Sequence, residues 1–499
     1  MNSRVRRLPL SVPLLALLLG AASVLGFAPF HVYPLPLLTL ALLINLWRRA
    51  GPRRAAWLGF LWGLGFFLAG VSWVYVSMHE FGGMDAPLAA LATLLFCAYL
   101  ALYPALAGWL FARFRSGTVG RDALFAAGAW TLTEWLRGWL MTGFPWLSLG
   151  YSQAPGSPLA GYASGFGVYG VSFVAILIAA SIAALFIPPP AFSRNWRQLL
   201  AVVLLLSCGR LLYLMDWTHP VGAPLTVSLL QGDVAQSMKW DPERLQQSLA
   251  TYARLAREHP AQLTVLPETA LPVFFDELPA AYLRRLTANG PVLAGVVVRT
   301  RSGGYTNAAV GLEAGAPVGA YAKRHLVPFG EYVPAGFSWF LALMNIPMTD
   351  FSAGPAVQPP LSLAGQRVMP NICYEDLFGD EIIRAVPDAT LLVNLSNTAW
   401  FGHSLAQPQQ LEIAQLRALE TGRFMLRATN TGMTAAIRPD GVVAAVLPAF
   451  AIDALTVQVQ GYAGMTPYAR WGNALIVAIA SACLLPALYG KTFRRRSPA

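Results

Sequence analysis

The chain has 499 residues, of which only 12% are charged, and a mean hydropathy of +0.51. Soluble domains carry roughly 25% charged residues, so the composition excludes an ordinary soluble protein and leaves a polytopic membrane protein with room for one folded domain. The formal net charge of +11 does not point to nucleic acid, because the Lys and Arg residues collect in short loops between apolar runs, the pattern that orients membrane proteins.

Three arginines, Arg4, Arg6 and Arg7, precede an apolar run from Leu8 to about Phe30. Pro9, Pro13 and Pro29 punctuate it and further spans follow at once, so it reads as a retained first helix and not as a cleaved leader. A spanning helix needs about 20 apolar residues. That rule predicts further helices near 33–47, 55–77, 87–112, 122–141, 166–188, 197–215 and 471–490. Eight helices place every basic loop on one face: Arg48, Arg49, Arg53 and Arg54; Arg113, Arg115 and Arg121; Arg194 and Arg197; Lys491 and Arg494 to Arg496. Both termini are then cytoplasmic, and the large polar segment lies on the outer face, the periplasm of a bacterium. The division is a seven-helix membrane domain over 1–216, an outer domain over 217–470, and an eighth helix with a basic tail over 471–499.

Glu134 and Arg137 sit three apart on the predicted fifth helix. Ionisable groups at that depth mark either function or a mutually neutralised structural pair, and the spacing favours the pair. The Gly/Pro/aromatic stretch Gly143 to Gln153 reads as an interfacial loop.

From residue 224 short β-rich runs alternate with amphipathic helices. Strands are predicted at Thr226–Leu230, Leu263–Leu266, Val292–Val298, Val368–Cys373, Leu391–Leu395, Arg427–Ile437 and Val442–Leu447. Helices are predicted after Asp241-Pro242-Glu243, with Leu245, Leu249, Tyr252 and Ala256 on one stripe, and over Ala406–Glu420. The alternation reads as an α/β domain of about 250 residues.

Four cysteines, Cys97, Cys208, Cys373 and Cys483, give neither a disulfide framework nor zinc spacing, and no metal or cofactor site is expected. Cys373 alone lies outside the apolar segments, at the end of a predicted strand in Pro370-Asn371-Ile372-Cys373-Tyr374-Glu375-Asp376. A lone cysteine is most often buried and inert. Two other strand ends or loops change that reading: Leu266-Pro267-Glu268-Thr269, and Tyr321 to Glu331 with Lys323 within it. Strand ends of an α/β sheet converge on one cleft. A thiol attacking a carbonyl needs a base, which Glu268 can supply, and a cation for the oxyanion, which Lys323 can supply. A lysine beside a thiol also lowers its pKa.

Together these residues resemble the Glu–Lys–Cys triad of the nitrilase, or carbon–nitrogen hydrolase, superfamily. With the membrane helices, the chain resembles that superfamily's bacterial apolipoprotein N-acyltransferases. Phe144-Pro145-Trp146, Gln231-Gly232, Lys239-Trp240, Ser396-Asn397, Trp400-Phe401-Gly402, Arg417 to Glu420 and Arg427 to Asn430 look like that family's stretches. The resemblance implies an αββα sandwich on a membrane bundle in the cell inner membrane. It implies a two-step transfer: Cys373 takes the sn-1 acyl chain of a phospholipid, typically phosphatidylethanolamine, as a thioester. The chain then passes to the α-amine of the S-diacylglyceryl cysteine of an apolipoprotein. Glu268 would be the base and Lys323 the oxyanion donor; Glu331, Tyr374 and Glu375 would support them, and Trp240 would line the substrate entrance. Apolar Phe337 to Met344, with Trp339, and Trp400-Phe401-Gly402 fit a substrate-binding lid dipping into the outer leaflet. The competing readings are a membrane-tethered amidase acting on small amides and a transporter with an inert nitrilase-like domain. The first predicts turnover without lipid; the second predicts an intramembrane polar pathway.

Overall fold

The apolar windows become helices in the computed structural model, which describes residues 11–186, 195–234, 242–301, 303–334, 336 and 350–494. They are α1 (Ser11–Ser23), α2 (Pro34–Arg49), α3 (Pro52–Val71), α4 (Ala86–Phe114), α5 (Val119–Arg137), α6 (Tyr162–Leu185) and α7 (Asn195–Tyr213), with a last helix, Ala474–Arg494, near the C-terminus. Four stretches among the described residues are long and apolar enough to cross a membrane: Pro52–Val71, Ala86–Phe114, Pro158–Leu185 and Trp196–Tyr213. One predicted helix is cut short. The 55–77 run stays apolar throughout, yet α3 stops at Val71, and a helical turn at Val74–Val76 leads into a π-helical turn at Ser77–Phe81. Arg137 and Glu134 act as the structural pair. Their closest charged atoms are 3.9 Å apart. Arg137 donates to the carbonyls of Phe144 and Trp146 at 2.5 and 2.7 Å, and Glu134 accepts from the Leu149 N–H at 2.8 Å. The two charges therefore staple the loop that follows their own helix.

By internal contacts the chain forms two units, one of 1–72, 90–214 and 473–499, the other of 73–89 and 215–472. The second unit holds two sheets. One has seven strands in the order β13, β1, β2, β4, β5, β6, with β3 also pairing β4. Its strands are β1 (Thr218–Gln231), β2 (Leu263–Val265), β3 (Leu271–Phe274), β4 (Val292–Arg299), β5 (Tyr305–Glu313), β6 (Ala316–Ala322) and β13 (Asp453–Gly464). The other has six, β12, β11, β10, β9, β8, β7: β7 (Leu361–Leu363), β8 (Gln366–Ile372), β9 (Leu391–Ser396), β10 (Met425–Thr429), β11 (Ala435–Ile437) and β12 (Val443–Val446). Leu225, Val227 and Leu229 of β1 pack in one core with Val368 and Ile372 of β8 and Leu391, Val393 and Leu395 of β9, so the sheets stack face to face. On the far side of the first sheet, Leu230, Leu266 and Val292 pack with Tyr252 and Leu255 of α8 (Pro242–Glu258) and with Tyr282 and Leu286 of α9 (Ala280–Leu286). Leu411, Ala414 and Ala418 of α10 (Ala406–Thr421) join the core of the second sheet. This is the αββα sandwich that the resemblance implies. Strand β9 and the Val368–Ile372 part of β8 are buried on both faces, and the polar residues they carry, Asn371 and Asn394, bond each other at 2.7 Å.

Two strand expectations change. The predicted run Arg427–Ile437 is two strands, β10 and β11, which pair antiparallel across a turn at 430–434. The turn is polar because Asn430 anchors it: its Nδ2 donates to the Val234 carbonyl at 2.7 Å and to Asn397 Oδ1 at 3.0 Å. The strands β3, β5, β6, β7 and β13 are additional to those predicted.

Candidate active site

The central strands of the first sheet set the direction of the site. Strands β1, β2 and β4 are parallel, and β6 lies two antiparallel steps from β4, so β6 runs the same way as β2. Their C-terminal ends therefore share an edge. Glu268 follows β2, and Lys323 follows β6 directly. In the second sheet β8 and β9 are parallel, and their ends carry Cys373 and Asn397.

These residues meet in one buried cluster. Lys323 Nζ lies 3.2 Å from Glu268 Oε1 and 2.9 Å from Glu331 Oε1. Asn307 Nδ2, on β5, donates to the same two oxygens at 2.8 and 2.9 Å. Glu268 Oε2 accepts from the Asn397 N–H at 2.9 Å, and Glu331 Oε2 from the Val327 N–H at 2.8 Å. Lys323 is 1% exposed. Burial alone would pull its ammonium down, but Glu268 and Glu331 outweigh burial and hold it above the ordinary lysine range. The lysine is a fixed cation. Gly295 on β4 makes room for the Glu268 turn: a Cβ there would meet the Pro267 carbonyl and the Glu268 Cα.

Cys373 opens a single helical turn after β8, with φ at +54°. A side chain other than glycine is strained in that region, and the surroundings pin it. The Cys373 carbonyl accepts from Asn394 Nδ2 and Gln410 Nε2, each at 3.3 Å. Asn394 is in turn held by Arg427, which pairs with Asp376 at 3.0 Å, and both of those charged groups are fully buried. Burial pushes the Asp376 carboxyl up to about 6 against the pull of Arg427 and Arg417. The expected lowering of the Cys373 pKa by lysine does not prevail. Burial and the Glu268 charge push the thiol up, and Lys323 only partly opposes them. The resting Cys373 side chain is therefore a neutral thiol. Iodoacetamide modification of Cys373, followed by peptide mapping, is expected to run about tenfold slower at pH 7.5 than that of a free peptide thiol and to keep rising beyond pH 9. A plateau between pH 7 and 8 would mean a resting thiolate instead.

Glu375 joins the two halves of the site. Its Oε1 accepts from the N–H groups of Arg324 and His325 at 2.6 and 3.1 Å and from the Tyr321 hydroxyl at 2.9 Å. Its Oε2 accepts from the Ile372 N–H at 2.6 Å. Burial pushes this carboxyl up to about 7, opposed by those N–H groups and by Lys323. Tyr374 packs edge-on to Phe378 at 5.2 Å and lies 5.7 Å from the His325 ring.

The structure thus brings Glu268, Lys323, Cys373, Glu331, Tyr374 and Glu375 together. Trp400 and Phe401 sit on a single turn at Ala399–Phe401, just past Asn397. Trp240, Trp339 and the 337–344 stretch lie outside the described residues. Sequence reasoning missed Asn307, Asn394 and Gln410. The one available signal for Asn307 was a lone amide in the small and apolar run 307–312.

Residues 19–181 match the apolipoprotein N-acyltransferase N-terminal domain, and residues 226–468 match the carbon-nitrogen hydrolase family. The chain is 49% identical to the apolipoprotein N-acyltransferase of Nitrosomonas europaea, with 94% of this chain and 95% of that one covered. It is 48% identical to the enzyme of the same name from Ralstonia nicotianae, covering 97% and 94%, and 47% identical to that of Chromobacterium violaceum, covering 95% and 93%. With a carbon–nitrogen hydrolase sandwich, a buried Glu–Lys–Cys cluster and this likeness along nearly its whole length, the chain belongs to the apolipoprotein N-acyltransferase family.

Proposed function

We propose that this acyltransferase completes lipoprotein maturation by moving the sn-1 acyl chain of a phospholipid, phosphatidylethanolamine in the first instance, onto a diacylated apolipoprotein. The observation that carries the reading is the convergence of Glu268, Lys323 and Glu331 with the Cys373 thiol in one buried cluster. In the first step Glu268 takes the thiol proton and the sulfur attacks the ester carbonyl. Lys323 faces the oxyanion that forms. As the C–O bond breaks, Glu268 returns the proton to the departing lysophospholipid alkoxide, which leaves an acyl thioester on Cys373. In the second step the α-amine of the S-diacylglyceryl cysteine attacks the thioester. Glu268 takes the amine proton and restores the thiol as the C–S bond breaks. The thioester keeps the acyl group reactive towards an amine, so the two steps balance without further energy input. Glu331, Tyr374 and Glu375 support the charged groups, Trp240 lines the substrate entrance, and Trp339, Trp400 and Phe401 belong to the substrate-binding surface.

The same proposal places the protein in the bacterial inner membrane. The eight helices described above outside the sandwich, among the described residues, would all span the bilayer, with the chain divided as 1–216, 217–470 and 471–499, both termini cytoplasmic and the sandwich periplasmic. The one-sided arginine loops, Arg48 to Arg54 and Arg113 to Arg121, support that orientation.

Intact mass spectrometry tests the chemistry. Incubation with phosphatidylethanolamine and no amine should add one fatty-acyl mass to the protein but not to a Cys373→Ala variant. A diacylated lipopeptide should then discharge it. Absence of the adduct, with small amides hydrolysed instead, would favour a tethered amidase.

A further inference from the structure

The segment Trp73–Ala89 interrupts the helical part of the sequence, yet it groups with the sandwich that holds the site. Its contacts fall on the stretch just past Asn397. The Ser77 hydroxyl donates to the Trp400 carbonyl at 2.7 Å. The Trp73 indole N–H donates to Gln409 Oε1 at 3.3 Å. The Trp73 and Phe401 rings meet at 4.6 Å, and Phe81 and Trp400 at 6.2 Å. Gly402 turns the chain at φ +52°, and a Cβ there would press on Val76. The stretch gripped in this way leads straight back to the base. Asn397 donates its N–H to Glu268 Oε2 at 2.9 Å, and its own Oδ1 accepts from the Ala399 N–H at 3.3 Å. The Phe401 and Gly402 N–H groups close the turn onto the carbonyls of Thr398 and Ala399. The Trp400 carbonyl and the Asn397 N–H are therefore two points on one stiff turn, held at one end by Ser77 and holding the carboxylate at the other.

We propose that Ser77 and Trp73 are positioning residues for the acyl transfer: by fixing the Asn397–Gly402 turn they fix the Glu268 carboxylate. The inference rests on Glu268 being the base, as proposed above. It assigns a role in the chemical step to a segment that lies between α3 and α4 in sequence, far from the other site residues. A carboxylate free to rotate off its line to the thiol and the amine would slow both half-reactions without weakening lipid binding.

The test follows thioester formation on the full-length protein in mixed micelles of phosphatidylethanolamine, with the lipid fraction varied. Ser77→Ala is expected to lower kcat about tenfold, the size of one lost hydrogen bond, with KM unchanged. Ser77→Thr, which keeps the hydroxyl, should restore it. A Glu268→Gln variant, alone and with Ser77→Ala, completes a double-mutant cycle. If Ser77 acts through Glu268, the double variant is no slower than Glu268→Gln alone. A raised KM at unchanged kcat, a threonine that fails to rescue, or additive losses in a slow Glu268→Gln background would each overturn this inference and leave the base in place. A Glu268→Gln enzyme as fast as the wild type would overturn the base and the inference with it.

Discussion

Lys323→Met is expected to abolish measurable thioester formation, a loss of about a thousandfold or more, and to destabilise the sandwich by about 3–5 kcal/mol. The reason lies in what the lysine separates. The Oε1 atoms of Glu268 and Glu331 lean on the same two nitrogens, Lys323 Nζ and Asn307 Nδ2, at 2.8 to 3.2 Å. With Asn307 alone, two buried carboxylates would face each other uncompensated. One of them would retain a proton, so its folded-state pKa would rise above the unfolded value. A group shifted in that direction stabilises the fold below its unfolded pKa and loses that contribution as pH rises through the folded value. The variant should therefore gain more stability than the wild type as pH falls from about 7 towards 5, on top of the slope of the same sign that the raised Glu375 and Asp376 carboxyls already give the wild type. Denaturant titrations at several pH values, beside the adduct assay, check both halves. A Lys323→Met protein with wild-type rates would remove the lysine from the mechanism.

Glu375→Gln is expected to be nearly as damaging, although Glu375 is assigned no proton transfer. Its two oxygens accept from four donors, three of them backbone N–H groups on two different strand ends. A glutamine offers one oxygen and one NH2. In either orientation the NH2 confronts a backbone N–H that stood at 2.6 Å from an oxygen, Arg324 in one case and Ile372 in the other. At least one buried donor is left unsatisfied, Ile372 N–H in one orientation and Arg324 and His325 N–H in the other, at about 1–3 kcal/mol each. The residues displaced are the neighbours of Lys323 and Cys373, so the rate should fall about a hundredfold while phospholipid KM holds. Glu375→Asp, too short to reach both strand ends, should fall between. The assay is again acyl-adduct formation against lipid concentration, and equal rates for Gln and Glu would show that the join is dispensable.

Both variants act on contacts that the sequence only half discloses. The charged positions were legible because their residue types are costly to place at apolar strand ends, Glu268 after Leu263 to Leu266 and Lys323 after a small-residue run, and Cys373 was legible as the one cysteine outside the apolar segments. The helical windows of the N-terminal part were legible because about twenty apolar residues in a row have few other uses. The end of α3 was not, since Trp73 to Val76 continues the same apolar composition, and what sets this stretch apart is its tertiary contacts, Trp73 on Phe401 and the next residue, Ser77, on the Trp400 carbonyl. The strands β5 and β6 were missed because Ala and Gly dominate their inner faces and weaken the alternation on which strand prediction relies. Asn307 was missed with them. Its place beside Lys323 exists only once the two strands pair. The net direction of the Cys373 shift was also out of reach, because burial decides it and burial is a property of the assembled sandwich.

That pairing has a consequence for how the family can vary in length. Asn307 and Lys323 lie just beyond the paired residues Ala308 and Ala322, with the Lys323 N–H on the Asn307 carbonyl at 2.8 Å. The hairpin turn between them, Ala314-Gly315, has both residues at positive φ and leads away from the site. Residues can be gained or lost in that turn while the ladder keeps its register and the distance between amide and ammonium stays the same. A single residue gained inside β6 would do the opposite: it would turn Lys323 to the other face of the sheet and strand both carboxylates. Insertions and deletions among natural relatives should accordingly crowd into the turn and stop at Ala316.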